Sequence, residues 1–217
     1  MQFKIAVDCV IIGFDIQTSS LKVLFTRRTK EPHQGQYALP GGFVYKTESF
    51  NETAKSILER ETSLQNVYLS QLKAYSLTDT STTNRIASVA YYSLVKFDDL
   101  KSVANHQASE WFNFKDIPSL PFDHSKKVDD AIKRIKELVK SEPVVYHLLP
   151  SKFPINQLQK FYEELYNVKI DNRNFRKKIQ RLAFIEKLGE FESNVSHRPS
   201  NLYQFNLKKY KDTTSLY

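Results

Sequence analysis

Apolar and polar positions along this chain follow two periods. KIAVDCVIIGF (residues 4–14), LKVLFTRR (21–28) and IASVAYYSLVKF (86–97) are dense in β-branched and aromatic side chains, and each reads as a buried strand. The helical period takes over at residues 50–62, where Ser49 stands as N-cap and Glu52, three positions on, completes a capping box. It returns in VDDAIKRIKELVK (128–140), which sets Val128, Ile132, Ile135 and Val139 on one face. Strands interleaved with two amphipathic helices predict an α+β fold, a mixed-sheet α/β/α sandwich. Three prolines (Pro143, Pro150, Pro154) then end the second helix and stiffen a crossing, so we divide the chain into domains 1–142 and 143–217. Past the crossing, Ile155, Leu158, Phe161, Tyr162 and Leu165 predict one amphipathic helix, and Phe175, Ile179 and Leu182 a narrower stripe on a second, capped by Asp171 or Asn172. AFIEKLG, ended by Gly189, and NLYQFN read as two strands joined by the polar loop EFESNVSHRPS.

Charge changes the picture of the second domain. Residues 151–217 carry 13 Lys and Arg against 7 Asp and Glu, a net of +6, whereas residues 1–150 carry 19 against 17, a net of +2. Most of the net charge of +8 is thus concentrated beside a near-neutral domain, as in a polyanion-binding module attached to a domain with a different task. The single cysteine, Cys9, excludes an internal disulfide framework and sits in an apolar run that suits a packed core thiol. No apolar run approaches the roughly 20 residues of a membrane helix, and no leader pattern opens the chain. The expectation is a cytoplasmic protein without membrane association.

The second short helix explains what the basic charge is for. Arg173, Lys177 and Gln180 lie opposite its apolar stripe, with Arg176 and Arg181 flanking them. Such a face suits a major groove, where Arg and Lys bond guanine edges, Gln bonds adenine, and other cations hold phosphates. With Arg198 in the following loop, the segment reads as a winged helix-turn-helix that binds double-stranded DNA. The bland alternative is a solvated basic surface. RNA recognition is the weaker reading, because the aromatic platform of such modules is missing.

In the first domain, GGFVYKTESFNETAKSILERETSL (41–64) carries the candidate chemistry. Metal-assisted cleavage of a pyrophosphate needs several carboxylates converging on hard cations. The stretch resembles the Nudix box, G-x5-E-x7-R-E-U-x-E-E-x-G-U with U aliphatic, but departs from it where a metal would bind. Gly42, Glu48 and Glu61 match; Ser56 replaces the motif's Arg, Ile57 and Arg60 replace two metal-binding Glu residues, and Ser63 replaces its Gly. Ile57 instead extends an apolar stripe with Ala54 and Leu58, and Arg60 repels cations. No catalytic residue and no cofactor are expected, with at most weak magnesium binding at Glu48 and Glu61. QGQYALPGGFV and EWFNFKDIPSLPFDHSKKVDDA carry the Nudix resemblance over most of residues 3–140.

A degenerate Nudix domain followed by LLPSKFPINQLQKFYEELYNVKIDNRNFRKKI is similar to the family of Nudix-related transcriptional regulators, of the NrtR type. The resemblance implies a homodimeric repressor or activator whose Nudix domain senses a metabolite; two-fold symmetry then leads us to expect two chains paired through their N-terminal domains on a palindromic operator. Effectors across that family include ADP-ribose and pentoses such as arabinose. TDTSTTNR lacks the Asp-Pro-Arg run of the ADP-ribose-sensing branch, which tilts the expectation toward a sugar. Arg28, Arg85 and Arg27 are the candidates for effector phosphates or hydroxyls, with surface ion pairing as the competing role. Asp123 and His124 read as a turn with a local Asx hydrogen bond, and the remaining histidines lack metal-ligand spacing. The alternative function is a Nudix hydrolase of a nucleoside-diphosphate-linked substrate with an accessory basic domain.

Overall fold

The computed structural model describes residues 3–77, 85–97, 109–193 and 198–214. The first domain runs β1 (Phe3–Asp15), β2 (Ser20–Arg27), β3 (Tyr37–Ala38), β4 (Gly41–Phe43), α1 (Phe50–Thr62), β5 (Tyr68–Leu77), β6 (Arg85–Lys96), β7 (Ser109–Asn113) and α2 (His124–Ser141). Its sheet has the order β3-β2-β1-β6-β5, with β4 also on β1 and β7 also on β2. The long central pair β1 and β6 is parallel, from Phe3 opposite Arg85 to Phe14 opposite Lys96. On its other edge β1 is shared: Ile12–Asp15 pair with β2 and Ala6–Asp8 with β4. The sheet opens between these two neighbours.

β1 is buried on both faces, and its alternation sorts two cores. Val7, Cys9 and Ile11 face α1 and pack with Ala54, Ile57 and Leu58. Burial pushes the Cys9 thiol pKa up, as befits a packed rather than reactive sulfur. Val10, Ile12 and Phe14 face the opposite side, toward α2, where Val128, Ile135 and Val139 are buried and Ile132 half-buried. β5 and β7, absent from the sequence expectation, have mixed and largely half-exposed patterns, so no apolar run announces them.

The second domain begins with a 3-10 turn (Val144–His147) and continues through β8 (Phe153–Pro154), α3 (Ile155–Tyr166), α4 (Asn172–Ile179), β9 (Ile185–Phe191), β10 (Asn201–Phe205) and α5 (Leu207–Thr214). A three-stranded antiparallel sheet, β8-β10-β9, backs the two helices as in a winged helix. β9 runs through Gly189 to Phe191 rather than stopping at the glycine, because pairing with β10 continues to Asn201 opposite Phe191. The turn between α3 and α4 is clamped by Glu163, which accepts the Ile170 N–H at 2.9 Å, while Gln159 donates to the Ile170 carbonyl at 3.0 Å.

The proline-rich crossing is core. Val144, Val145, Leu148 and Leu149 are buried, and one apolar cluster runs from β1 through them into α3 and α4. Phe14 and Phe161 meet edge to face at 5.7 Å, and Tyr166 Oη donates to the Lys136 carbonyl at 2.9 Å. Lys115 reaches Glu164 at 2.7 Å, and Tyr210 Oη donates to the Ser141 carbonyl at 3.0 Å. Truncating Phe161 to Ala should therefore cost about 3–5 kcal/mol. Urea unfolding followed by Trp111 fluorescence and by far-ultraviolet dichroism should still give coincident midpoints; two separated transitions would show independent domains.

His147 lies in the crossing against the rings of Tyr68 (4.6 Å) and Tyr146 (3.8 Å). Burial, and secondarily the charge of Lys96, lower its pKa from the ordinary value to about 4. The folded state holds this ring neutral while the unfolded chain protonates near pH 6.5, so stability is present above that pH and is lost as pH falls toward 4. His147→Phe should flatten the urea midpoint between pH 6.5 and 4; an unchanged slope would contradict the assignment.

Candidate functional site

The Nudix-like helix keeps its start and departs from the motif at Ile57 and Arg60, two of its metal-binding positions. Ser49 accepts the Glu52 N–H at 3.2 Å and Glu52 returns the bond to the Ser49 N–H at 2.8 Å, completing the expected capping box. Ile57, 2% exposed, is inserted beneath β1, and Ser56 points outward. Glu61 is occupied: Thr26 Oγ1 donates to it at 3.0 Å, Ser109 Oγ at 2.6 Å, and Arg60 pairs with it at 2.8 Å. Glu48 accepts from Thr53 Oγ1 at 3.0 Å. Among the described residues, no group of three or more His, Cys, Asp or Glu is arranged to hold a metal. Ser63, at the motif's glycine, caps the helix in the left-handed region (φ 53°), a strain on the order of 1 kcal/mol for a residue with a Cβ.

A cavity of about 400 Å³ opens on the other face of β1, lined by Lys4, Asp8, Arg28, Ser88, Phe122 and His124 among others. Its floor is a buried charge cluster. Lys127, fully buried, sits 2.7 Å from Asp8 and 2.6 Å from Asp123. Its ammonium also lies 5.1 Å from the Tyr75 ring centroid, and Tyr75 Oη donates to Asp130, which pairs with Lys73. His124 Nδ1 accepts the Leu39 N–H at 3.0 Å, and burial lowers the pKa of the ring, keeping it neutral.

This corrects the expected Asx turn at Asp123 and His124. Asp123 makes no side-chain cap bond, because its carboxylate is drawn one helical turn along to Lys127. Sequence reasoning passed over Asp8, Ser88 and Lys127. The available signal was Asp8 itself, since a carboxylate inside an apolar strand must be paired to be tolerated. Of the expected arginines, Arg28 lines the cavity, bonding the Pro32 carbonyl at 2.8 Å with its guanidinium 5.0 Å from the Phe122 ring centroid. Arg27 is turned to the Gly35 carbonyl (3.1 Å) and Tyr37 Oη (2.8 Å), a local structural role. Arg85 opens β6, and its side chain lies outside the described residues.

On the winged helix, α4 is capped by Asp171, which accepts the Asn174 N–H at 2.8 Å, and is anchored by Phe175 and Ile179. Arg173, Arg176 and Lys177 are exposed on it. The helix is shorter than the spacing of Phe175, Ile179 and Leu182 predicts: Gln180 is its C-cap and Arg181 stands in the next turn, its N–H bonded back to the Lys178 carbonyl at 3.2 Å. Arg176 Nε donates to Asn172 at 2.6 Å, which preorients the guanidinium. A cleft of about 310 Å³ lies between α4 and the β9–β10 loop, and Arg176 and Arg198 both line it. No described helix is long and apolar enough to cross a membrane.

Comparison with known proteins matches the two halves separately. The model of the NUDIX domain matches residues 2–135, and that of the NrtR DNA-binding winged helix domain matches residues 145–205. The ADPR responsive transcriptional repressor NtrR of Acinetobacter baylyi is 26% identical over 203 residues, covering 91% of this chain and 80% of the relative. The crystal structure of Shewanella oneidensis NrtR complexed with a 27mer DNA superposes with a TM-score of 0.80 at 25% identity, over 95% of both chains. The NUDIX domain of the same Shewanella protein, complexed with ADP ribose, gives a TM-score of 0.53 at 26% identity over 62% of this chain and 90% of that one. A Nudix match over more than half the length, continued by the winged-helix match, places this chain in the Nudix family, among its transcriptional regulators.

Proposed function

We propose that this chain is a metabolite-responsive transcriptional regulator of the cytoplasm. Its winged helix binds operator DNA, and its Nudix domain holds ADP-ribose or an ADP-ribose-like molecule as an effector without cleaving it. The observation that carries this reading is the engagement of Glu61 by Thr26, Ser109 and Arg60, next to an Ile57 committed to the core. Glu61 cannot turn to a divalent cation without giving up these contacts and Ile57 has no donor atom to offer, so among the described residues no carboxylates converge for metal-assisted attack. A diphosphate entering the cavity meets Arg28 and Lys4, which can bind it but supply no nucleophile. No resident cofactor is proposed, and magnesium at Glu48 and Glu61 would be weak.

For DNA, the pairing of Arg176 and Arg198 across one cleft supports a reading helix and a wing acting together. Arg173, Lys177, Gln180 and Arg181 extend the basic face along the helix and past its end. Two copies joined through their Nudix domains would match a palindromic operator, since two-fold protein symmetry pairs naturally with two-fold DNA symmetry. The ADP-ribose response named for the Acinetobacter relative, and the DNA and ADP ribose bound in the Shewanella structures, support the same assignment.

Fluorescence anisotropy with duplexes from the regulated promoter tests the reading. Arg176→Ala should weaken operator binding about tenfold or more, and Lys177→Ala should reduce the salt slope by about 1 if its contact is to phosphate. Saturating ADP-ribose should shift operator affinity by at least about fivefold. No preference for any palindrome would overturn the DNA assignment. Magnesium-dependent turnover of ADP-ribose that is lost in Glu61→Gln would restore the hydrolase.

A further inference from the structure

The cavity over β1 differs in chemistry between floor and mouth, and the floor has hydrogen-bonding capacity to spare. Ser88, 1% exposed, lines it, and its hydroxyl has no hydrogen-bond partner among the described residues. Asp8 Oδ2 is taken by Lys127 at 2.7 Å. Asp8 Oδ1 has His124 Nε2 at 3.7 Å, beyond hydrogen-bond reach. Space beside Oδ1 is preserved by Gly41, where a Cβ would stand 2.5 Å from it. Because His124 Nδ1 already accepts the Leu39 N–H, the neutral ring carries its proton on Nε2, the nitrogen nearest Asp8. The parallel register, Ala6 opposite Ser88 and Asp8 opposite Ala90, puts Asp8 and Ser88 on one sheet face as diagonal neighbours.

The floor thus offers an acceptor at Asp8, a donor at His124, and at Ser88 a hydroxyl able to act as either. Adjacent ring hydroxyls, each both donor and acceptor, satisfy that set. A phosphate does not, since the Asp8 carboxylate repels it. The mouth is the reverse, with the cations of Arg28 and Lys4 and the exposed ring of Phe43 (52%).

We propose that Asp8, Ser88 and His124 form a hydroxyl-reading floor that takes the terminal ribose of an ADP-ribose-like effector, with the diphosphate at Arg28 and Lys4 and the base at the mouth beside Phe43. The assignment rests on the effector reading above and adds the orientation of the ligand and the residues that select it. It also accounts for an unpaired hydroxyl in the sheet, which ligand recognition justifies and folding does not.

Titration calorimetry of the full chain with ADP-ribose, ADP, D-ribose and L-arabinose tests it. Wild type should bind ADP-ribose more tightly than ADP. Ser88→Ala should weaken ADP-ribose about tenfold while leaving ADP unchanged, and should not lower Tm, because the hydroxyl has no partner to lose. Gly41→Ala, which fills the space beside Asp8, should likewise remove the preference for ADP-ribose. Equal weakening of ADP by Ser88→Ala would put the base or its ribose on the floor and overturn the orientation; unchanged ADP-ribose affinity would overturn the site. If ADP-ribose gives no heat at all, the effector reading fails. The floor is then judged on the free pentoses: binding that Ser88→Ala abolishes upholds it, and binding by neither pentose overturns it.

Discussion

An ammonium group wholly out of solvent must be met by negative charge, and the arrangement of this chain depends on how Lys127 is met. Asp123 is one helical turn away on the same face of α2, so that half of the pairing is local. Asp8 comes from the central strand, and its pairing fixes where α2 lies on the sheet. Removing one partner of such a buried set typically costs about 3–5 kcal/mol, because the remaining charge is left unneutralised. That cost makes α2 a fixed body: its first turn is pinned under the cavity, and its last turns carry Val139 and the Lys136 carbonyl to the tyrosines of α3.

The cavity and the interdomain core are consecutive stretches of one strand face. Along β1, Lys4 and Asp8 face the cavity, and Val10, Ile12 and Phe14 continue on the same side into the cluster shared with α3. A ligand that touches Asp8 therefore acts on a residue ion-paired to the helix on which the DNA-binding domain is seated. Continuity of this kind is a mechanical route, not a coupling free energy; the latter needs a ligand that binds one arrangement of the two domains more tightly than the other. The buried crossing at Val144–Leu149 favours concerted movement of packed bodies over the swing of a loose tether.

The sequence was most legible where burial is periodic. Three central strands, the two helices of the first domain and the apolar face of α3 could be read directly, because each buries one side of a regular pattern. The edge strand β5 and the short β7 could not, because a strand whose side chains are largely half-exposed leaves no apolar run. The extent of α4 was overread: the spacing of Phe175, Ile179 and Leu182 fits a continuing helix, but the chain tightens at Arg181 and turns toward β9. The cavity floor was the least legible. Asp8, Ser88 and Lys127 are far apart in sequence, and only the parallel pairing of β1 with β6 and the docking of α2 bring them together. Sequence spacing finds clusters within one helix turn; it does not find clusters assembled by a sheet.

The altered Nudix helix is a distributed change. Where the motif has an acid, Ile57 is part of the core beneath β1, and where it has another, Arg60 is the cation that pairs with Glu61. Thr26 from β2 and Ser109 from β7 fill the remaining acceptor sites of Glu61. An acid restored at position 60 alone would face Glu61 without Arg60 to balance it, and an acid restored at 57 would be buried against Cys9 and Leu58. Ser63 keeps the left-handed cap that the motif's glycine would adopt without strain, so the backbone path of the helix follows the motif where its side chains do not. The fold retains the helix because Ala54, Ile57 and Leu58 hold the sheet on that side, while the cavity opens on the opposite face of β1.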